Sequence, residues 1–119
     1  MNYTEQELAK AEEVVPRATL EEYNNDTNQK IMIDVRQSEE LEGSGSIDSA
    51  LNIPKGVIEF QINSKEDVNE GTSIYVFCAA GVRSALAGYN LTKIGYTNVF
   101  NLGGFQDILD QGATITKNI

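Results

Sequence analysis

A layered α/β domain, with a mostly parallel central sheet flanked by helices, is predicted for this chain by three features of its sequence. Two short, almost wholly apolar runs, residues 31–35 and 73–77, read as strands buried on both faces. Amphipathic stretches alternate with the apolar runs, the pattern that builds a parallel sheet through crossover helices. The length of 119 residues fits one such domain. A chain of this size buries well over half of its unfolded surface, so its core needs no disulfide or metal staple.

The elements follow in order. Residues 4–15 set Leu8, Ala11, Val14 and Val15 among acids and a lysine, an amphipathic helix that Pro16 should end. This helix reads as an N-terminal extension, residues 1–18, on a single domain of residues 19–119, and would serve as a cap, a dimer contact or a mobile segment. Thr19 with Glu22 three residues on forms a capping box for a short helix through Tyr23, and residues 24–29 make a polar loop. After the first strand, Ser38, Glu39, Glu40 and Leu41 start a helical turn closed by the loop at 43–46. Residues 50–53 form a brief strand before Pro54, and residues 56–62 a short helical segment. The best helix runs over residues 84–94, where Ala87, Leu91 and Ile94 recur at i, i+4 and i+7. Lys93 suits the negative end of its dipole, and Gly95 is placed as a left-handed cap. Residues 98–102 form a third strand, which Gly103-Gly104 turns into a last helix over 105–110.

Composition narrows the function. Eighteen acidic and nine basic residues leave a net charge of −9, which disfavours nucleic acid and anionic membrane surfaces as partners. No apolar run approaches the roughly 18 residues of a membrane span, and the N-terminus has no secretory pattern. A soluble, cytoplasmic protein, monomeric or weakly dimeric, is expected. Histidine is absent, which rules out catalysis by a Ser-His or Cys-His couple. The single cysteine, Cys78, rules out an internal disulfide, a catalytic dithiol and a zinc site resting on Cys/His ligands. Neither metal nor cofactor is expected.

Cys78 follows the strand at 73–77, and Ala79, Ala80, Gly81, Val82, Arg83 and Ser84 lead from it into the long helix. The carboxyl end of a parallel strand is where ligands bind in open α/β sheets. A loop of small residues there turns its backbone N–H groups inward, and with the helix dipole behind them they cradle an anion. A thiolate in that cradle needs no histidine to lower its pKa, and Arg83 adds a charge that can also hold an anionic substrate. The competing reading is a small buried hydrophobe at a strand end. The strand-end position, the small-residue loop and the arginine at the helix mouth together favour the functional one.

These segments carry a resemblance. Ile33-Asp34-Val35-Arg36, then residues 45–54, then Cys78 to Ser84, then Gly95-Tyr96 and residues 99–104 stand in the order and at the intervals of a rhodanese domain. Residues 31–113 resemble that family, and residues 54–60 with 83–87 look like its bacterial single-domain branch. The resemblance implies a sulfurtransferase. Cys78 would accept a sulfane sulfur from thiosulfate or a low-molecular-weight persulfide, hold it as a persulfide and pass it to a thiol, cyanide or protein acceptor. Residues 79–84 would supply the N–H cradle, and Arg83 would hold donor or acceptor. Related thiol phosphatases and arsenate reductases carry a seven-residue loop, whereas Cys78 through Arg83 counts six. A non-catalytic rhodanese-like binding module is disfavoured because cysteine and arginine are both present. One departure is Ser46, where the family often has histidine.

Four residues are expected to support the site. Asp34 and Arg36 should tie the first strand's end to neighbouring loops, with Arg36 paired to Glu39 or Glu40. Gly103 and Gly104 would let a backbone pass close to the cysteine loop or would simply turn the chain. Glu59, Phe60 and Ile62 would shape the pocket mouth or belong to an ordinary amphipathic segment.

Overall fold

The computed structural model describes residues 2–116. Four parallel strands form the central sheet in the order β3 (Ala50–Asn52), β1 (Lys30–Asp34), β4 (Ser73–Cys78), β5 (Asn98–Gly104). Helices α1 (Tyr3–Val14), α2 (Leu20–Asn25), α3 (Ser38–Ser44), α4 (Ile58–Asn63), α5 (Val82–Lys93) and α6 (Phe105–Asp110) surround it.

Strand alternation divides the core into two clusters, one on each face. Ile33, Ile74, Val76 and Cys78 pack with Ile58 and Ile62 of α4, Ala87 and Leu91 of α5, and Val15 after α1. Met32, Tyr75 and Phe77 pack with Leu20 of α2 and Ile108 of α6. Because both faces are covered, all six residues of β4 are buried, which is why its sequence is a continuous apolar run. The cysteine thus leaves the sheet on the α5 side, at the end of a strand flanked by β1 and β5.

Local signals are realised where they are local. Thr19 Oγ1 accepts from the Glu22 backbone N–H at 3.1 Å and the Glu22 carboxylate accepts from the Thr19 N–H at 2.9 Å, so the capping box forms and α2 runs on to Asn25. The long helix begins two residues before the expected Ser84, at Val82, because Gly81 adopts a φ of 95° and turns the chain directly into it. Helix α1 lies along α5: Ala11 is buried, Val15 joins the core, and a Cβ on Gly88 would come within 3.1 Å of the Val15 side chain.

Two expectations are corrected, and the choice left open for Glu59, Phe60 and Ile62 goes to an ordinary amphipathic segment. Strand β5 does not end at Leu102 but runs through Gly104. Its pairing with β4 shifts register after Val76, so that Val76 faces Asn101 while Phe77 faces Gly103 and Cys78 faces Gly104. A short antiparallel pair, β2 (Ser46–Ile47) with β6 (Ile115–Thr116), was not expected: two residues from each end carry too little pattern to read. Ile62 is fully buried and belongs to the core, whereas Phe60 in the same helix stays exposed. A helix of six residues turns successive side chains to different environments, so the three residues do not share one face.

Candidate active site

The cysteine loop is held open by donors on one side and by glycines on the other. Cys78 Sγ accepts from the Gly81 N–H at 3.0 Å and from the Ser84 N–H at 3.4 Å, and lies 3.4 Å from the Ser84 hydroxyl. The residue is only 1% exposed, yet Ala79 and Ala80 at the crest of the loop are exposed. Burial, the largest single influence, pushes the thiol pKa up. The Ser84 hydroxyl and the backbone N–H groups of Ser84, Ala80 and Gly81 outweigh it, and the thiol sits below its ordinary value.

The glycines of β5 close the back of the loop. A Cβ on Gly104 would stand 2.6 Å from the Ala79 carbonyl and 3.3 Å from the Ala80 Cα, so only glycine lets the two backbones meet. Gly103 has a φ of 94° and a Cβ there would collide with the Arg17 guanidinium. The strand shift after Val76 is what sets both glycines beside Cys78 and the loop.

Asn101 is the residue that sequence reading missed. It is 3% exposed, and its amide binds three parts of the site at once. Nδ2 donates to the Gly81 carbonyl at 3.1 Å, and Oδ1 accepts from the Gly103 N–H at 2.9 Å and from the Ser84 hydroxyl at 2.8 Å. Ser84 therefore has one proton and two acceptors, Asn101 Oδ1 and Cys78 Sγ. When that proton turns to a thiolate, Oδ1 keeps the Gly103 N–H and is not orphaned. The signal available in the sequence was an asparagine inside an otherwise apolar strand, a residue type that strands disfavour. Asn101→Ala should orphan the Gly103 N–H and remove one of the two bonds to the Gly81 carbonyl, which keeps the Ala85 N–H, costing about 1–3 kcal/mol in urea denaturation. It should also raise the pH midpoint of Cys78 alkylation by iodoacetamide; an unchanged midpoint would separate Asn101 from the thiol.

The two remaining arginine–carboxylate contacts redistribute the charges expected here. Arg36 does not pair with Glu39 or Glu40. Its Nε and Nη2 reach Asp34 at 2.8 to 3.0 Å, with both side chains almost fully buried, and its other bonds go to Ser44 Oγ and the Gly45 carbonyl. Asp34 wins because it sits two residues away on a rigid strand end and already accepts the Arg36 backbone N–H at 3.0 Å. Glu40 instead receives both terminal nitrogens of Arg83, at 2.7 and 2.8 Å. Arg83 thus follows the loop directly but spends its fork on a carboxylate of α3.

That pair has a pH signature. The hydrogen bonds from Arg83, helped by the Gln37 N–H, bring the Glu40 pKa down to about 2 from its ordinary 4.5. A depressed carboxylate contributes stability that is complete above its unfolded pKa and is lost as pH falls through the folded one, here between about 4.5 and 2. Both side chains are about a third exposed, so solvent screening limits the contribution to roughly 1 kcal/mol or less. Glu40→Gln should therefore lose stability at pH 7 relative to the native chain and match it near pH 2, as read from denaturation midpoints. A constant difference at both pH values would contradict the pairing.

A parallel sheet that delivers a buried cysteine to backbone N–H donors at a helix N-terminus defines an α/β domain whose site is built around a single cysteine. The chain belongs to the rhodanese-like domain family, whose model matches residues 17–111. It is 39% identical to the thiosulfate sulfurtransferase PspE of Escherichia coli over 77 residues, 64% of this chain and 71% of that one. The structure of the human single domain sulfurtransferase TSTD1 superposes with a TM-score of 0.68 at 26% identity, covering 82% of this chain and 97% of that one. A Rhodopseudomonas palustris protein of unknown function, described as a possible tyrosine phosphatase, superposes with a TM-score of 0.81 over 98% of this chain and 96% of its own. At 23% identity that likeness concerns the fold alone. Across four curated relatives the chain spans between 47 and 71% of their length. Among the described residues no helix is long and apolar enough to cross a membrane.

Proposed function

We propose that the protein is a sulfurtransferase that carries a sulfane sulfur on Cys78. The observation that carries the reading is the sulfur atom itself, buried at the end of β4 and met at 3.0 Å by the Gly81 N–H and at 3.4 Å by Ser84. Such a cradle stabilises a thiolate before reaction and the terminal charge of a persulfide after it.

In the first half-reaction the Cys78 thiolate attacks the outer sulfur of thiosulfate. The S–S bond of the donor breaks, its electron pair leaves with sulfite, and Cys78 becomes a persulfide. In the second, an acceptor thiolate attacks the outer sulfur, the Cys78 S–S bond breaks, and its electron pair returns to Cys78 as thiolate. A low-molecular-weight persulfide replaces thiosulfate as donor, and cyanide or a protein thiol replaces the acceptor, in the same two steps. No redox partner is needed, because the sulfane sulfur keeps its oxidation level. Asp34 with Arg36, and Gly103 with Gly104, would act only by holding the loop.

The six-residue loop from Cys78 to Arg83 favours this chemistry over phosphate ester hydrolysis, and so does the engagement of both Arg83 terminal nitrogens by Glu40. A phosphatase would want that fork for the phosphoryl oxygens. We place the protein in a reducing, cytoplasmic setting, where a lone nucleophilic thiol stays free. Thiocyanate formation from thiosulfate and cyanide, measured beside hydrolysis of p-nitrophenyl phosphate, tests the reading. Turnover of the first without the second is expected; the reverse would replace it with a phosphatase.

A further inference from the structure

All three arginines of the chain lie at the same end of the sheet, and two of them are held in ion pairs. Arg36 is paired with Asp34 and Arg83 with Glu40. Arg17 is exposed and has neither a hydrogen bond nor an ion pair from its guanidinium among the described residues. It is nevertheless fixed in place. Its backbone bridges to Asn101 at the edge of β5, the Asn101 N–H donates to the Pro16 carbonyl at 2.9 Å, and the Ala18 N–H donates to the Asn101 carbonyl at 3.0 Å. Its guanidinium lies over Gly103, with Nη1 3.9 Å from where a Gly81 Cβ would stand; Asp107 Oδ2, which accepts from the Gly104 N–H, lies on the same side, 3.4 Å from where a Gly103 Cβ would stand, without bonding the guanidinium.

Arg17 lines a pocket of about 230 Å³ together with Ala80, Gly81 and Val82 of the cysteine loop and with Glu12 of α1. Glu12, like Arg17, is exposed and has no ion-pair partner among the described residues, and the two are not paired with each other. The pocket is thus a cation and a carboxylate facing a shared space, and one wall is the loop that holds the sulfur. Its volume falls below the roughly 300–1,000 Å³ of sites for drug-sized ligands, so it suits something the size of an amino acid.

Resting on the sulfurtransferase reading, we infer that this pocket selects the acceptor, a small thiol bearing both an ammonium and a carboxylate group. Arg17 takes the carboxylate through its planar fork and Glu12 takes the ammonium. A purely anionic thiol gains Arg17 but meets the Glu12 charge, and a purely cationic one meets the reverse. A ligand with both charges satisfies both groups. The acceptor thiolate then attacks the outer sulfur of the Cys78 persulfide, and the broken bond returns its electron pair to Cys78.

The test uses the full chain, loaded with thiosulfate until intact mass shows complete persulfide, then mixed with each of three thiols in single turnover. Cysteine carries both charges, 3-mercaptopropionate the carboxylate alone, and cysteamine the ammonium alone. Comparing each variant with the native chain for the same thiol cancels the thiols' different intrinsic reactivity. Arg17→Gln should slow cysteine and 3-mercaptopropionate about tenfold and leave cysteamine within about twofold. Glu12→Gln should slow cysteine and cysteamine by a similar factor and leave 3-mercaptopropionate unchanged or faster. Equal ratios for all three thiols in either variant would overturn the inference while leaving persulfide chemistry intact. Absence of the mass gain in the native chain would instead strike the sulfurtransferase reading, and this one with it.

Discussion

Cys78→Ser is expected to take up no sulfur from thiosulfate and to lose thiocyanate formation by on the order of a thousandfold or more, as removal of an enzyme's nucleophile does. The substituted hydroxyl occupies the same buried space and can accept from the Gly81 and Ser84 N–H groups that met the sulfur at 3.0 and 3.4 Å. The fold should therefore survive, with a denaturation midpoint close to that of the native chain. The hydroxyl fails chemically: its pKa lies far above that of a thiol, and the cradle cannot ionise it. Residual turnover within tenfold of native would remove Cys78 from the reaction and leave it as the small buried hydrophobe that a lone strand-end cysteine otherwise resembles.

The second large effect concerns stability. Asp34→Ala should cost about 3–5 kcal/mol, because it strands the Arg36 guanidinium without a counter-charge. That charge is 3% exposed, bonded on its far side only to Ser44 Oγ and the Gly45 carbonyl, and stacked 4.2 Å over the Phe105 ring. Domains of this kind hold about 5–15 kcal/mol in total, so the loss would be roughly a fifth of the stability or more. Urea denaturation of the variant reads it directly, and a loss below about 1 kcal/mol would show that water reaches the guanidinium. The effect should spread to activity as well, since Val35 and Arg36 lead from β1 into α3, which carries Glu40 and through it Arg83.

The parts of the molecule that were legible in the sequence are those whose cause is local. Continuous burial of β4 shows as an apolar run, the capping box of α2 lies within four residues, and the cysteine loop lies in one uninterrupted segment. The site's second layer is long-range. Glu40 and Arg83 are 43 positions apart, and Ser84 and Asn101 are 17 apart, so no periodicity or spacing connects them. Arg36 illustrates the limit: four carboxylates are within its sequence neighbourhood, and the geometry of the strand end, where Asp34 already accepts the Arg36 N–H, decides that Asp34 is the partner. Arg17 was invisible for the same reason, since its place beside Gly103 depends on the pairing of residues 16–18 with Asn101.

A thiolate at Cys78, held by backbone and hydroxyl donors with no histidine, is expected to receive and carry sulfur. Intact mass of the protein after incubation with thiosulfate, followed by proteolytic mapping and then cyanide, tests it most directly. The expected result is a gain of one sulfur atom on the peptide containing Cys78, removed by cyanide with return to the starting mass. A protein whose mass stays unchanged with thiosulfate and with glutathione persulfide alike would contradict it.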